Sequence, residues 1–68
     1  DGLAVIRQVI AGAPARLADD GLLAIEIGAA QGEAVRRLAQ QYGFTSVIIG
    51  KDYAGFDRYA LMRRRDSR

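Results

Sequence analysis

Apolar residues recur at spacings of three and four in the first part of the chain, which is the period of a helix with one buried stripe. This stripe runs through residues 3–18 and consists of Ile6, Val9, Ile10, Ala13 and Leu17. Pro14 interrupts it, because proline cannot donate to the Ile10 carbonyl and disfavours helical geometry at the residue before it. The pattern predicts either one kinked helix, which we favour, or a helix that ends near Gly12 and restarts at Pro14.

Three further runs predict strands. Residues 22–27 are apolar except for Glu26, a pattern typical of a strand that is covered on both faces. Residues 46–50 are rich in β-branched side chains and predict a second strand. Residues 59–64 predict a third strand, in which alternate side chains would lie on opposite faces. One face of this third strand carries Tyr59, Leu61 and Arg63 and the other carries Ala60 and Met62.

The clearest helix lies between the first two predicted strands. Its apolar positions fall at i, i+3, i+4 and i+7, and they are Val35, Leu38, Ala39 and Tyr42. Glu33 favours the positive end of the helix dipole, and Gly43 stands where a C-terminal cap belongs. Ahead of the first strand, Gly21 is the turn residue expected to tolerate a positive φ.

The predicted order is α-β-α-β-β in one small α/β domain. A strand, a helix and a strand in succession imply a right-handed crossover between strands that run in the same direction. Residues 51–58 then form a hairpin connection, so the last strand is antiparallel to its partner. We therefore expect a three-stranded mixed sheet, and the pattern alone leaves the last strand either central or at an edge.

Composition narrows the class of protein. The chain has no cysteine and no histidine, which excludes disulfides, thiol redox chemistry and the commonest zinc ligands. The net charge of +2 comes from a basic tail at residues 63–68, which we expect to be disordered at its end, so no basic nucleic-acid-binding face is predicted. The longest apolar run is too short to span a membrane, and we expect a cytoplasmic segment of a longer protein.

Glu26 is the first candidate for chemistry, because it lies near the carboxyl end of a strand, where ligands collect in open α/β sheets. It could accept hydrogen bonds at the rim of a substrate or cofactor site. It could instead be structural, bonded to the amides of the next turn or paired with Arg58. A carboxylate between two isoleucines should be at least half-buried, and we therefore favour the structural role.

Two glycine-containing segments are interpreted as structural. The turn at residues 28–32 joins a strand to a helix, but it lacks a phosphate-binding spacing, and Gly28 relieves steric strain. The hairpin is expected to be a hydrogen-bonded loop, with its arginine forked onto a carboxylate. Its residues are Asp52, Gly55, Asp57 and Arg58.

No metal site is predicted, because the loop has no calcium-binding spacing. No catalytic residue is predicted either, because Ser46 and Ser67 lack a histidine partner.

Three segments in order resemble the bacterial release factor glutamine methyltransferases. They are D-G-L at residues 1–3, E-I-G-A-A-Q-G at 26–32 and D-Y-A-G-F-D-R at 52–58. The family has a D-G-L start to a helix, an E-x-G-x-x-Q-G turn and a D-x-A-G-x-D-R hairpin, although Phe56 and Tyr59 differ from the residues expected beside the D-R pair. The resemblance implies that residues 1–68 are an incomplete, C-terminal portion of a class I, Rossmann-like methyltransferase domain. The last strand would be central, and the helices would lie on one face of the sheet.

The resemblance also implies an activity for the parent protein. It would transfer a methyl group from S-adenosylmethionine to the side-chain amide of a glutamine in class 1 peptide-chain release factors. Gln31, like Glu26, would face the active-site edge. The family's asparagine-proline-proline-tyrosine loop, glycine-rich cofactor turn and acidic anchor do not occur in residues 1–68. We therefore expect the segment alone to be inactive and to bind no cofactor.

The partners and alternatives follow from the same comparison. Release factors are the expected partners of the parent, with no membrane or direct nucleic-acid contact, and an open sheet face could support self-association. Other S-adenosylmethionine-dependent N-methyltransferases share such closing strands, so a different substrate is an alternative. A small nucleic-acid-binding module that uses the basic tail and nearby aromatic residues is a weaker one, because no RNA-binding strand or G-x-x-G clamp is present.

Overall fold

The chain folds into two helices and three strands, seen here in a computed structural model that describes residues 3–18 and 20–64. In chain order the elements are α1 (Ala4–Gly12), a 3-10 turn (Ala13–Ala15), β1 (Leu22–Glu26), α2 (Gly32–Gln41), β2 (Ser46–Lys51) and β3 (Asp57–Arg63). Within the described ranges, neither helix has the length and apolar character that a bilayer crossing would need.

Two features predicted at the ends of the chain, the D-G-L motif and the basic tail, lie partly outside the described residues. Asp1 and Gly2 of the first motif are outside them, as are the last four residues of the predicted basic tail. Arg63 belongs to β3, and Arg64 donates from Nη1 to the Pro14 carbonyl at 3.0 Å.

Pro14 ends the first helix instead of kinking it. The α-helix stops at Gly12, and Pro14 lies in the 3-10 turn that follows. Pro14 has no N–H for the Ile10 carbonyl, and the Ala13 N–H donates to that carbonyl instead, in the tighter i to i+3 pattern. Our preference for a single kinked helix was therefore wrong, and the alternative break near Gly12 describes the chain.

The second helix matches its prediction closely. Val35, Leu38 and Ala39 are buried, while Tyr42 at the end of the stripe is 39% exposed. Gly43 has a φ of +92°, and its N–H donates to the Gln40 carbonyl. The glycine cap predicted from the sequence is thus confirmed.

The sheet has the order β1-β3-β2, with β3 in the centre. β3 pairs antiparallel with both neighbours, so that Leu23 and Val47 both face Met62. β1 and β2 run in the same direction but do not touch, because β3 lies between them. No parallel ladder forms among the described strands, and the expectation of a mixed sheet is wrong in this respect.

Both helices share a core with one face of the sheet. The buried core consists of Ile10, Ala13, Ile27, Val35, Leu38, Ala39, Phe44, Ala60 and Met62. The opposite face, which we call the open face, carries Leu22, Ala24, Glu26, Ile48, Tyr59 and Leu61. Leu22 and Ile48 are 51% and 58% exposed there. β1 is therefore covered on one face within this chain, not on both as its apolar run predicted.

The turn before β1 differs from the prediction in one residue. The positive φ belongs to Asp20, at 65°, and not to Gly21. Gly21 is instead closely packed, since a Cβ there would lie 2.8 Å from the Ala18 carbonyl oxygen.

Candidate functional site

The candidate site is the edge of the sheet where β1 and β2 end, which we call the carboxyl edge. It comprises the turn from β1 to α2, residues 26–32, and the hairpin from β2 to β3, residues 51–58. Backbone hydrogen bonds join the two segments: the Ile27 N–H donates to the Arg58 carbonyl at 2.9 Å, and the Asp57 N–H donates to the Ala29 carbonyl at 3.3 Å. Two segments distant in sequence therefore form one structural unit.

Asp57 is the centre of this unit. Its Oδ2 accepts the Gly32 N–H at 2.8 Å, and its Oδ1 accepts from Lys51 Nζ at 2.7 Å. The side chain is only 14% exposed. The hydrogen bond from Lys51, and after it that from the Gly32 amide, lower the pKa of the Asp57 carboxyl below its ordinary value, against the opposing effect of partial burial.

Gly32 must be a glycine for this contact to form. A Cβ at this position would lie 2.5 Å from Asp57 Oδ2 and 3.0 Å from the Ile49 Cγ2 atom. Gly32 is the first residue of α2, where unpaired amides and the helix dipole favour a negative charge. Asp57 therefore acts as a cap for α2 from another part of the chain.

The other end of the turn is held by Gln31. Its Oε1 accepts the Gly28 N–H at 2.6 Å. The amides of Gly28 and Gly32 thus both donate within the chain, and neither is available for a bound anion. Gln31 occupies the N-cap position of α2 and is half-buried.

Glu26 does not have the surroundings expected from the sequence. It lies on the open face, opposite Tyr59, and is exposed instead of half-buried. Among the described residues its carboxylate makes no hydrogen bond to the turn amides and no ion pair with Arg58. The strand alternation explains this, because Glu26 shares a face with Leu22 and Ala24. The preference for a structural Glu26 is therefore not supported, and the capping role belongs to Asp57.

The hairpin loop is ordered by Asp52. Its Oδ1 accepts the N–H groups of Ala54 and Phe56 at 2.9 and 3.0 Å. Gly55 has a φ of +86°, and Arg58 Nε lies 3.9 Å from Asp52 Oδ2. The structure therefore brings Asp52, Gly55 and Arg58 together in one loop, while Gly28 contacts Gln31 on the other side of the carboxyl edge.

The chemistry available at this edge is limited. Glu26 offers an exposed carboxylate that can accept hydrogen bonds from a bound molecule. Within the described ranges, no three acidic side chains are grouped closely enough to hold a metal ion. Two of the turn amides, those of Gly28 and Gly32, are already bonded within the chain.

The Asp57 contacts were not predicted, and only a weak signal for them exists in the sequence. Capping signals are read over three or four residues, whereas Asp57 and Gly32 are 25 residues apart. The one hint was that Gly32 and Asp57 belong to two motifs that resemble the same family.

Comparison with known proteins gives several relatives that share one name. A release factor glutamine methyltransferase of Neisseria gonorrhoeae is 49% identical over 61 residues, which is 90% of this chain and 22% of that protein. One from Moorella thermoacetica is 45% identical over 67 residues, covering 97% and 24%. One from Thermodesulfovibrio yellowstonii is 37% identical over 67 residues, covering 98% and 24%. No family model matches the chain, and the comparison with solved structures found no match.

These matches define the class first: the chain is related to methyltransferases over nearly its whole length. More narrowly, the relatives that it matches are release factor glutamine methyltransferases, and the resemblance noted from its motifs is confirmed. The chain spans less than a quarter of the length of these relatives.

Proposed function

We propose that the protein carrying this segment transfers a methyl group from S-adenosylmethionine to the side-chain amide of a glutamine in peptide-chain release factors. The observation that carries the proposal is the identity of 37% to 49% with relatives of that name across at least 90% of the chain. The segment would supply the closing strands of a class I catalytic domain, at its C-terminal end.

The fold supports this assignment in two respects. An antiparallel last strand lies between two strands that run in the same direction, as the family resemblance implied. The two family motifs within the described residues also meet at the carboxyl edge, where ligands bind in open α/β sheets. A shared ligand-binding edge is a reason for both motifs to occur in one small segment.

The chemistry requires orientation of a poor nucleophile. An amide nitrogen attacks only when its lone pair is aimed at the methyl group, so the enzyme must hold the amide in place. S-adenosylmethionine, when bound by the rest of the parent, supplies the electrophilic methyl group. In this segment the exposed Glu26 carboxylate would accept a hydrogen bond at the rim of the site, with Gln31 beside it on the bonded turn.

The test is methyl transfer by the full-length protein. Purified release factor is incubated with labelled S-adenosylmethionine, and mass spectrometry locates the methyl group. We expect transfer to one glutamine and none when that glutamine is replaced by alanine. Transfer to another residue type, or none to an intact release factor, would contradict the proposal.

The isolated 68-residue chain provides the matched negative control. We expect no saturable binding of S-adenosylmethionine in a calorimetric titration, because the family's cofactor-binding turn and acidic anchor are not in this sequence. Saturable binding at micromolar concentration would place a cofactor site within the segment.

A further inference from the structure

The turn that carries the candidate rim residues is held at both ends. At its start, Gly28 donates to the Gln31 side chain, and at its end, Gly32 donates to Asp57. The middle of the turn is also bonded to the hairpin, because the Ala29 carbonyl accepts the Asp57 N–H. Asp57 therefore makes two of the three contacts, one through its backbone and one through its carboxylate.

The carboxylate contact is the more specific of the two. Asp57 is oriented by Lys51, which bonds its second oxygen at 2.7 Å, and its side chain is largely buried. A charged acceptor fixed in this way makes a stronger hydrogen bond than a neutral one. The absence of a Cβ at Gly32 lets the carboxylate approach the amide directly.

We propose that Asp57 is a positioning residue for methyl transfer: through the Gly32 amide it fixes the 26–32 turn, and hence Glu26 and Gln31, relative to the hairpin. This inference rests on the proposed function of the parent protein. Asp57 itself need not touch the substrate. Its effect is on geometry, and a displacement of about 1 Å in an orienting group can cost about a hundredfold in rate.

The test compares variants of the full-length protein in the release factor assay, with the folded fraction measured by circular dichroism. Asp57→Ala removes the acceptor, and Asp57→Asn keeps an oxygen that can accept the Gly32 N–H. Gly32→Ala keeps the carboxylate but places a Cβ against it. Glu33→Ala is the matched control, since it removes an exposed carboxylate from the same helix end.

We expect Asp57→Ala to lower kcat per folded molecule about ten- to a hundredfold, with little change in KM for the release factor. Asp57→Asn should recover most of that loss, and Glu33→Ala should resemble the wild type. Gly32→Ala should also lower kcat. The double variant Asp57→Ala with Gly32→Ala should lose less than the product of the two single effects, because the added Cβ conflicts mainly with the carboxylate.

A merely structural Asp57 would change the folded fraction and leave kcat per folded molecule at the wild-type value, which would overturn the inference. If Asp57→Ala does not fold, Gly32→Ala decides the matter, and a wild-type kcat in that variant overturns it. A wild-type protein that transfers no methyl group would overturn the proposed function together with this inference. An active wild type with unaffected variants would overturn this inference alone.

Discussion

At the scale of single residues, the structure depends on two glycines that are in direct contact with side chains from β3. Gly32 faces the Asp57 carboxylate, and Gly50 is covered by the aromatic ring of Tyr59, its partner across the sheet. Neither glycine has a positive φ, so the requirement is for space and not for backbone conformation.

Gly50→Ala should destabilise the chain by about 0.5 to 1.5 kcal/mol, because the new methyl group would overlap the Tyr59 ring and force that partly exposed side chain off its rotamer. Urea unfolding measures the change. Gly12→Ala is the control: no atom lies within 4 Å of its Cβ position, and we expect it to be neutral or stabilising by up to about 1 kcal/mol. Equal effects of the two substitutions would contradict the packing described at Gly50.

Glu26→Gln should leave the stability of the isolated chain within about 0.5 kcal/mol, because the carboxylate is exposed and makes no hydrogen bond or ion pair among the described residues. In the full-length protein the same change should reduce methyl transfer, since the rim would lose a charged acceptor. Urea unfolding of the chain and turnover of the parent are both needed. Marked destabilisation with unchanged turnover would restore the structural interpretation.

At the scale of elements, the hairpin and α2 are joined through one carboxylate. Asp57 begins β3 and caps the first turn of α2, while Lys51 at the end of β2 pairs with it. The Asp57 side chain therefore connects three elements.

This connection predicts a pH dependence of stability. The pKa of Asp57 is lowered on folding, so its carboxylate stabilises the fold above the unfolded pKa of about 3.9. That contribution is lost as the pH falls through the lower, folded pKa. The urea midpoint of the wild type should exceed that of Asp57→Asn at pH 7, and the difference should disappear in acid. A difference that is constant with pH would show that Lys51 and the Gly32 amide do not act on the ionised form.

The elements themselves were largely predictable, because their signals are local. α2 follows from apolar positions within eight residues, its cap follows from Gly43 directly after them, and the break at Pro14 was one of two predicted outcomes. The exposure of Glu26 was not predictable, since an apolar run does not reveal which face of a strand remains open. The Asp57 contact depends on where β3 inserts, and hydrophobic patterning could not choose between the centre and the edge.

At the scale of the whole molecule, the open face is the main feature that the chain alone does not explain. Leu22, Ile48 and Tyr59 are 51%, 58% and 43% exposed on a face whose apolar character is typical of burial. The chain spans less than a quarter of its relatives, so we expect other parts of the parent to cover this face.

Ile48→Lys tests this expectation. In the isolated chain it should change stability by no more than about 0.5 kcal/mol, because the side chain already faces solvent. In the full-length protein it should cost several kcal/mol, since a covered lysine would be an unpaired buried charge. If the isolated chain self-associates through this face, the substitution should also reduce its sedimentation coefficient. Equal tolerance in both proteins would mean that the face stays open in the parent.

The most direct test of the central claim is the mass of a class 1 release factor taken from cells with and without the gene for the full-length protein. We predict that deletion removes one methyl group from a glutamine of the release factor. The full-length gene should restore it, and the 68-residue segment alone should not. A release factor that keeps its methylated glutamine in the deletion strain would contradict the assignment of this chain to a release factor glutamine methyltransferase.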